Sequence, residues 1–103
     1  MAYTVEQIAE SEMELGVVGK VLARTYIVSG VTNTMGEPEV YKVFLKGQFN
    51  DGSVRYDVMV QRKDDNFAML NPNRHASRCA QVFSALRSEM AEYKAANQAL
   101  RNK

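Results

Sequence analysis

Residues 40–62 constrain the fold more than any other part of the chain, because they read as one β-hairpin of fixed register. Asp51-Gly52 is a two-residue turn signal: a type I′ turn needs positive φ at both central positions, which these residues tolerate. Folding about it pairs Phe49 with Val54, Gly47 with Tyr56, Leu45 with Val58 and Val43 with Val60, all on one side. The other side carries Gln48 opposite Arg55, Lys46 opposite Asp57, Phe44 opposite Met59 and Lys42 opposite Gln61. Strand side chains alternate with period two, so a slip of one residue would scramble this sorting. The first set is suited to a core. The second surrounds a Phe and a Met with basic residues, as a binding sheet would.

The flanking segments extend this unit. Thr4-x-x-Gln7 has the capping-box pattern, and Val5, Ile8 and Ala9 then share one side of a short helix ending near Leu15-Gly16. Its other side holds Glu6, Glu10, Glu12 and Glu14, a solvated acidic face or a shield for a basic surface. Residues 17–29 are rich in Val, Ile, Thr and Tyr and read as a strand. Val17, Val21, Ala23, Thr25 and Ile27 form one face of it; Lys20, Leu22, Arg24, Tyr26 and Val28 form the other, which again mixes cations with a ring. Residues 30–38, with Asn33, Gly36 and Pro38, make a loop and the most mobile expected segment.

After Arg62, Lys63-Asp64-Asp65-Asn66 reads as a turn and Phe67-Ala68-Met69-Leu70 as a short fourth strand. Asn71-Pro72 then opens a helix, Asn as cap and Pro at the first helical position. Cys79, Val82, Phe83, Leu86, Met90 and Tyr93 recur at three- and four-residue spacing, giving an amphipathic helix from Pro72 to about Leu100. Such a helix would span roughly 42 Å, against about 33 Å for a ten-residue strand. Its end beyond Tyr93 should therefore overhang the sheet, bend or dock elsewhere, and Met90, Tyr93 and Leu100 are the expected homodimer contacts.

Composition narrows the class. At 103 residues the chain fits a single domain over 1–103, and 46% apolar with 24% charged residues is ordinary for a folded protein. A net charge of +1 gives no global field, so attraction for a polyanion must come from local segregation of charge. The single Cys79 excludes an intramolecular disulfide and a Cys-based zinc site, and fits a reducing compartment. The first residues lack a signal-peptide pattern, and no run approaches the roughly 18 apolar residues of a membrane helix. A cytoplasmic location without membrane contact is expected.

No enzyme is expected. His75, the only histidine, has no patterned nucleophile or carboxylate orienter and reads as a surface residue. Cys79 belongs to the apolar stripe and reads as a buried, inert thiol. Asp64-Asp65 lacks a third acidic ligand at metal spacing, and no Gly-rich phosphate loop is present, so neither metal nor cofactor is expected. What remains is the basic and aromatic sheet face: Lys20, Arg24, Tyr26, Lys42, Phe44, Lys46, Arg55 and Met59. Single-stranded nucleic acid needs this combination, cations along the phosphates and flat rings under unpaired bases. The competing bland reading is a solvated face with a Phe44–Met59 pair and a Lys46–Asp57 ion pair worth at most about 1 kcal/mol.

The order of hairpin, charged turn, short strand and Asn-Pro helix start resembles the positive cofactor four group of single-stranded-DNA-binding transcription regulators. The likeness runs from Tyr41 to about Leu86 through Tyr41-Lys42-Val43-Phe44-Leu45-Lys46, Arg55-Tyr56-Asp57-Val58-Met59-Val60 and Phe67-Ala68-Met69-Leu70-Asn71-Pro72. It implies a curved strand-binding sheet, helices at a dimer contact, Lys42, Lys46 and Arg55 on the backbone, and Phe44 stacking. Lys63-Asp64-Asp65-Asn66 stands where that family has a Gly-Lys-Lys-Gly type segment. Tyr41-Lys42-Val43 and Arg55-Tyr56-Asp57-Val58 are also similar to paired strands of single-stranded RNA phage coat proteins, whose terminal helices lock a dimer.

The sequence thus predicts an α+β fold: an antiparallel sheet of about four strands, a short N-terminal helix, and a long C-terminal helix packed on one face. The expected function is a dimeric, non-catalytic protein binding single-stranded nucleic acid. An alternative of a different class is a small phage-type inhibitor occupying a host protein, through the same sheet face or the acidic segment. A viral coat subunit is the third.

Overall fold

The computed structural model describes residues 3–14, 19–50, 53–62 and 74–101. The fold is α+β. Strands β1 (Thr4–Glu14), β2 (Lys20–Thr32), β3 (Pro38–Asn50) and β4 (Ser53–Arg62) form an antiparallel meander in the order β1-β2-β3-β4. Helices α1 (Ala76–Ala85) and α2 (Arg87–Arg101) follow and pack on β2.

The expected hairpin is present with the expected register. β3 and β4 pair from Tyr41↔Arg62 to Asn50↔Ser53, including Val43↔Val60, Phe44↔Met59, Lys46↔Asp57 and Gly47↔Tyr56. The residues at 51–52 lie outside the described residues, as do the expected turn at 63–66, the expected strand at 67–70 and the Asn-Pro helix start.

The expected N-terminal helix is instead β1. It pairs with β2 from Thr4↔Ser29 to Glu14↔Lys20, with a register shift between Gln7 and Ala9. That shift explains the misleading pattern. Before the shift Val5 and Gln7 align with Val28 and Tyr26; after it Glu10 and Glu12 align with Arg24 and Leu22. One extra residue inverts the alternation, so the apolar positions 5, 8 and 9 acquire helical spacing by accident.

A second irregularity lies between Val28 and Val31 of β2, where Val28 pairs Tyr41 and Val31 pairs Glu39. Two residues, Ser29 and Gly30, face one, and Gly30 has φ 92°, the left-handed region that a bulge of this kind assigns to glycine. The bulge keeps both Val28 and Val31 fully buried although they are three residues apart. The β2–β3 connection is organised around Asn33. Asn33 accepts the Met35 and Glu37 N–H groups on Oδ1, gives its own N–H to Glu37 O, and accepts Gly36 N–H on its carbonyl.

The expected single helix is two helices meeting at Leu86 (φ −92°, ψ 5°), bridged by Leu86 N–H to Val82 O and Met90 N–H to Leu86 O. His75 is the N-cap residue of α1, outside the first turn. Nor does the far end overhang: the 13 residues of β2 cover about 43 Å, as much as the helix pair needs.

The core lies between helices and sheet. Leu22, Tyr26 and Val28 of β2, Tyr41, Val43 and Leu45 of β3, and Val60 of β4 meet Val82, Leu86 and Tyr93. Three helix side chains clip the ends of β2. At one end Asn97 Oδ1 accepts Leu22 N–H at 2.7 Å and Tyr93 OH donates to Leu22 O at 2.6 Å. At the other, Gln81 accepts Thr32 N–H on Oε1 and donates from Nε2 to Thr32 O, both at 3.0 Å. Thr32 pairs with Pro38, which has no N–H to give. Among the described residues no helix is long and apolar enough to cross a membrane.

Candidate nucleic-acid interface

Register decides which side chains share a face. Directly paired residues project to the same side of a sheet. Arg24 pairs with Leu45 and Tyr26 with Val43, so both belong to the helix-covered side. On the opposite, open side, three rows of neighbours surround Phe44. Glu6, Ile27, Lys42 and Gln61 make one; Ala9, Thr25, Phe44 and Met59 make the second; Lys46 and Asp57 belong to the third.

The eight expected interface residues therefore separate. Lys42, Phe44, Lys46 and Met59 stand together on the open side, each half-buried. Lys42 Nζ lies over the Phe44 ring, 5.7 Å from its centroid, a cation–π contact between alternate residues of one strand. Arg55 pairs with Gln48 in the same alternate set as Asp57 and Met59; its side chain is outside the described residues.

Lys20, Arg24 and Tyr26 do not join them. Tyr26 is 2% exposed in the core. The Arg24 guanidinium is met by carboxylates on its own side of the sheet, Glu10 through Nε and Glu92 at 3.6 Å from Nη1. Burial pulls its pKa down, but hydrogen bonding to Tyr26 and Glu10 outweighs burial and leaves it above the ordinary value. Lys20 is in the same alternate set and pairs with Glu12 at 3.6 Å. The sequence misled here because charge was taken as a mark of solvent. Arg24 can be covered because Glu10 and Glu92 reach it.

No protein family, curated protein or solved structure matches this chain. The site rests on its own geometry.

The expected dimer residues are also used within the chain. Tyr93 is 2% exposed and meets Tyr56 edge-to-face, ring centroids 5.4 Å apart. Met90 and Leu100 pack against the same core. The apolar stripe of the helices thus faces the sheet, with Tyr93 buried and Met90 and Leu100 partly exposed. Sequence reasoning missed Thr25 and Ile27, the open-side neighbours of Phe44 and Lys42. Reading β2 against the hairpin register would have found them.

Cys79 is 3% exposed, and burial pushes its thiol up, away from a reactive thiolate. Glu39 is closely engaged: Tyr41 OH donates to it at 2.6 Å, and Arg78 and Arg62 lie 3.6 and 3.7 Å away. The Tyr41 hydrogen bond, opposed by burial and helped by the two guanidiniums, holds its carboxyl below the usual range. This cluster ties α1 to the ends of β3 and β4. It is a lock between helix and sheet.

Proposed function

We propose that the chain is a non-catalytic binding protein that takes single-stranded nucleic acid on the open side of its sheet, through Lys42, Phe44, Lys46 and Met59. The observation that carries this reading is the Lys42–Phe44–Lys46 alternation on one strand, with the Lys42 ammonium already at the Phe44 ring. Cations hold phosphates in a salt-dependent, sequence-blind way, and a flat ring stacks an unpaired base for about 1–3 kcal/mol. The function is narrower than the sequence suggested, since Arg24 and Tyr26 stabilise the core. A fluorescent oligonucleotide should bind at about 50 mM salt, weaken steeply as salt rises, and weaken further with Phe44→Ala. Absence of binding at that salt removes this function.

A second reading, occupation of a host protein, has its own support in β1. That edge strand is exposed at every position except Val5, and it carries Glu6, Glu10, Glu12 and Glu14. Extended edges recruit partners by strand addition. Reversing Glu12 and Glu14 to Lys should then abolish co-purification of a host protein while leaving oligonucleotide binding intact.

A further inference from the structure

We infer that the outer edge of β1 takes a short extended segment of a partner protein, with Lys or Arg at alternate positions, paired along residues 9–14. This rests on the host-protein reading of β1 above and adds the chemistry and register of the partner.

The edge comes first. β1 is a terminal strand of the sheet, paired with β2 on one side, and it is exposed at every position except Val5. A terminal strand presents backbone N–H and C=O groups to which an extended segment can add. The register shift between Gln7 and Ala9 divides this edge. A bulge ends regular pairing, so the longer regular stretch, residues 9–14, sets the length of an added strand.

The side chains set its charge. Glu10, Glu12 and Glu14 pair with Arg24, Leu22 and Lys20 and so share the helix side, roughly 7 Å apart along the strand. Ala9, Ser11 and Met13 take the other side. An added strand with a cation at every second residue sets each cation beside a carboxylate, and its intervening residues beside Ala9, Ser11 and Met13. The cations of β2 do not saturate this row. Arg24 is shared by Glu10 and Glu92, and Lys20 meets Glu12 at 3.6 Å with both side chains 52% exposed, a weak pair in water. Glu10 and Glu12 each use one oxygen, Oε2, in these contacts, whereas a carboxylate accepts on two.

The same charges bar other occupants. A second copy laid edge to edge along residues 9–14 would set Glu against Glu on one side of the joined sheet, and like charges directly opposite are unfavourable. A polyanion is repelled by the same row.

The test is an amide NMR titration of the full chain with capped hexapeptides: Lys and Thr alternating, the same residues in two blocks, and Glu and Thr alternating. The alternating cationic peptide should bind about 3- to 100-fold tighter than the block peptide, because only it sets every cation on the carboxylate side. Shifts and slowed amide exchange should centre on residues 9–14 and spare Lys42, Phe44 and Lys46, and the acidic peptide should not bind. Glu12→Gln combined with Glu14→Gln should remove most of the preference without unfolding the chain, since both side chains are exposed. Equal affinity for the two cationic peptides, or shifts centred elsewhere, would overturn the inference. That outcome leaves the host-protein reading standing, which fails only if reversing Glu12 and Glu14 leaves co-purification of a host protein unchanged.

Discussion

Asn97 Oδ1 accepts the backbone N–H of Leu22 at 2.7 Å, from a side chain with no solvent exposure. The last β2–β3 pair on this side is Arg24↔Leu45, so Leu22 lies beyond the ladder and the helix supplies its partners. Asn97 is itself held by Nδ2 donating to Tyr93 O at 2.9 Å. A buried donor left without a partner costs about 1–3 kcal/mol, whereas one neutral hydrogen bond nets about 1 kcal/mol. Asn97→Ala should therefore destabilise the fold by about 2 kcal/mol or more, and Tyr93→Phe by roughly 1 kcal/mol. Urea unfolding of both variants checks the order.

Glu39 should make the fold acid-sensitive. Its folded pKa is depressed below the ordinary 4.5, first by the Tyr41 hydrogen bond and then by Arg78 and Arg62 against the opposing effect of burial. A depressed carboxylate contributes stability that is present above the unfolded pKa and lost as pH falls through the folded one. Stability should thus decline below about pH 4.5. Glu39→Gln keeps an acceptor for Tyr41 but removes the charge facing both guanidiniums, and should cost about 1–3 kcal/mol at neutral pH. Its unfolding midpoint should lack that part of the acid decline.

Tyr41 gives the alkaline counterpart. Burial, with help from the Glu39 carboxylate, pushes its hydroxyl from 10.0 up to about 12. The unfolded chain ionises first, so this contribution is complete below pH 10 and disappears as pH rises toward 12. Subtracting the pH profile of Tyr41→Phe from that of the parent should leave a fall confined to that window.

The hairpin was legible because two independent signals agree on it: a turn dipeptide and an alternation that sorts every residue of both strands. β1 was not, because its register shift at Ile8 disguises the alternation and because pairing with β2 is information at a distance. The same distance hid the face of β2. Either set of its side chains can serve as core locally, and only the pairing Tyr26↔Val43 assigns them. The helix stripe was legible as apolar, but its destination depended on the length of β2. Lys42, Phe44, Lys46 and Met59 share one side of the sheet as expected because that grouping was argued from the one register that the local sequence determines.

Gly47 tests the packing of that hairpin against β2. A Cβ at this position would lie 3.2–3.3 Å from three carbons of the Val21 side chain, and Val21 is fully buried. Val21 is β-branched and held on all sides, so it cannot swing clear. Gly47→Ala should destabilise by about 1–3 kcal/mol through overpacking, despite the better strand propensity of alanine. A thermal melt of this variant showing unchanged or raised stability would mean that the sheet relaxes there at no cost.

Two aromatic residues of adjacent strands should separate binding from folding. Tyr26 and Phe44 project from opposite sides of the sheet, one 2% exposed under the helices, the other half-buried beside Lys42. Tyr26→Ala empties the core and should cost about 3–5 kcal/mol, enough to threaten folding of a domain this small. Phe44→Ala removes a ring from the open side, should leave the unfolding midpoint within about 1 kcal/mol of the parent, and should still lose most oligonucleotide affinity. Circular dichroism melts alongside anisotropy titrations give both readings on each variant. If Phe44→Ala unfolds the chain while a stably folded Tyr26 variant loses binding, the faces have been assigned the wrong way round.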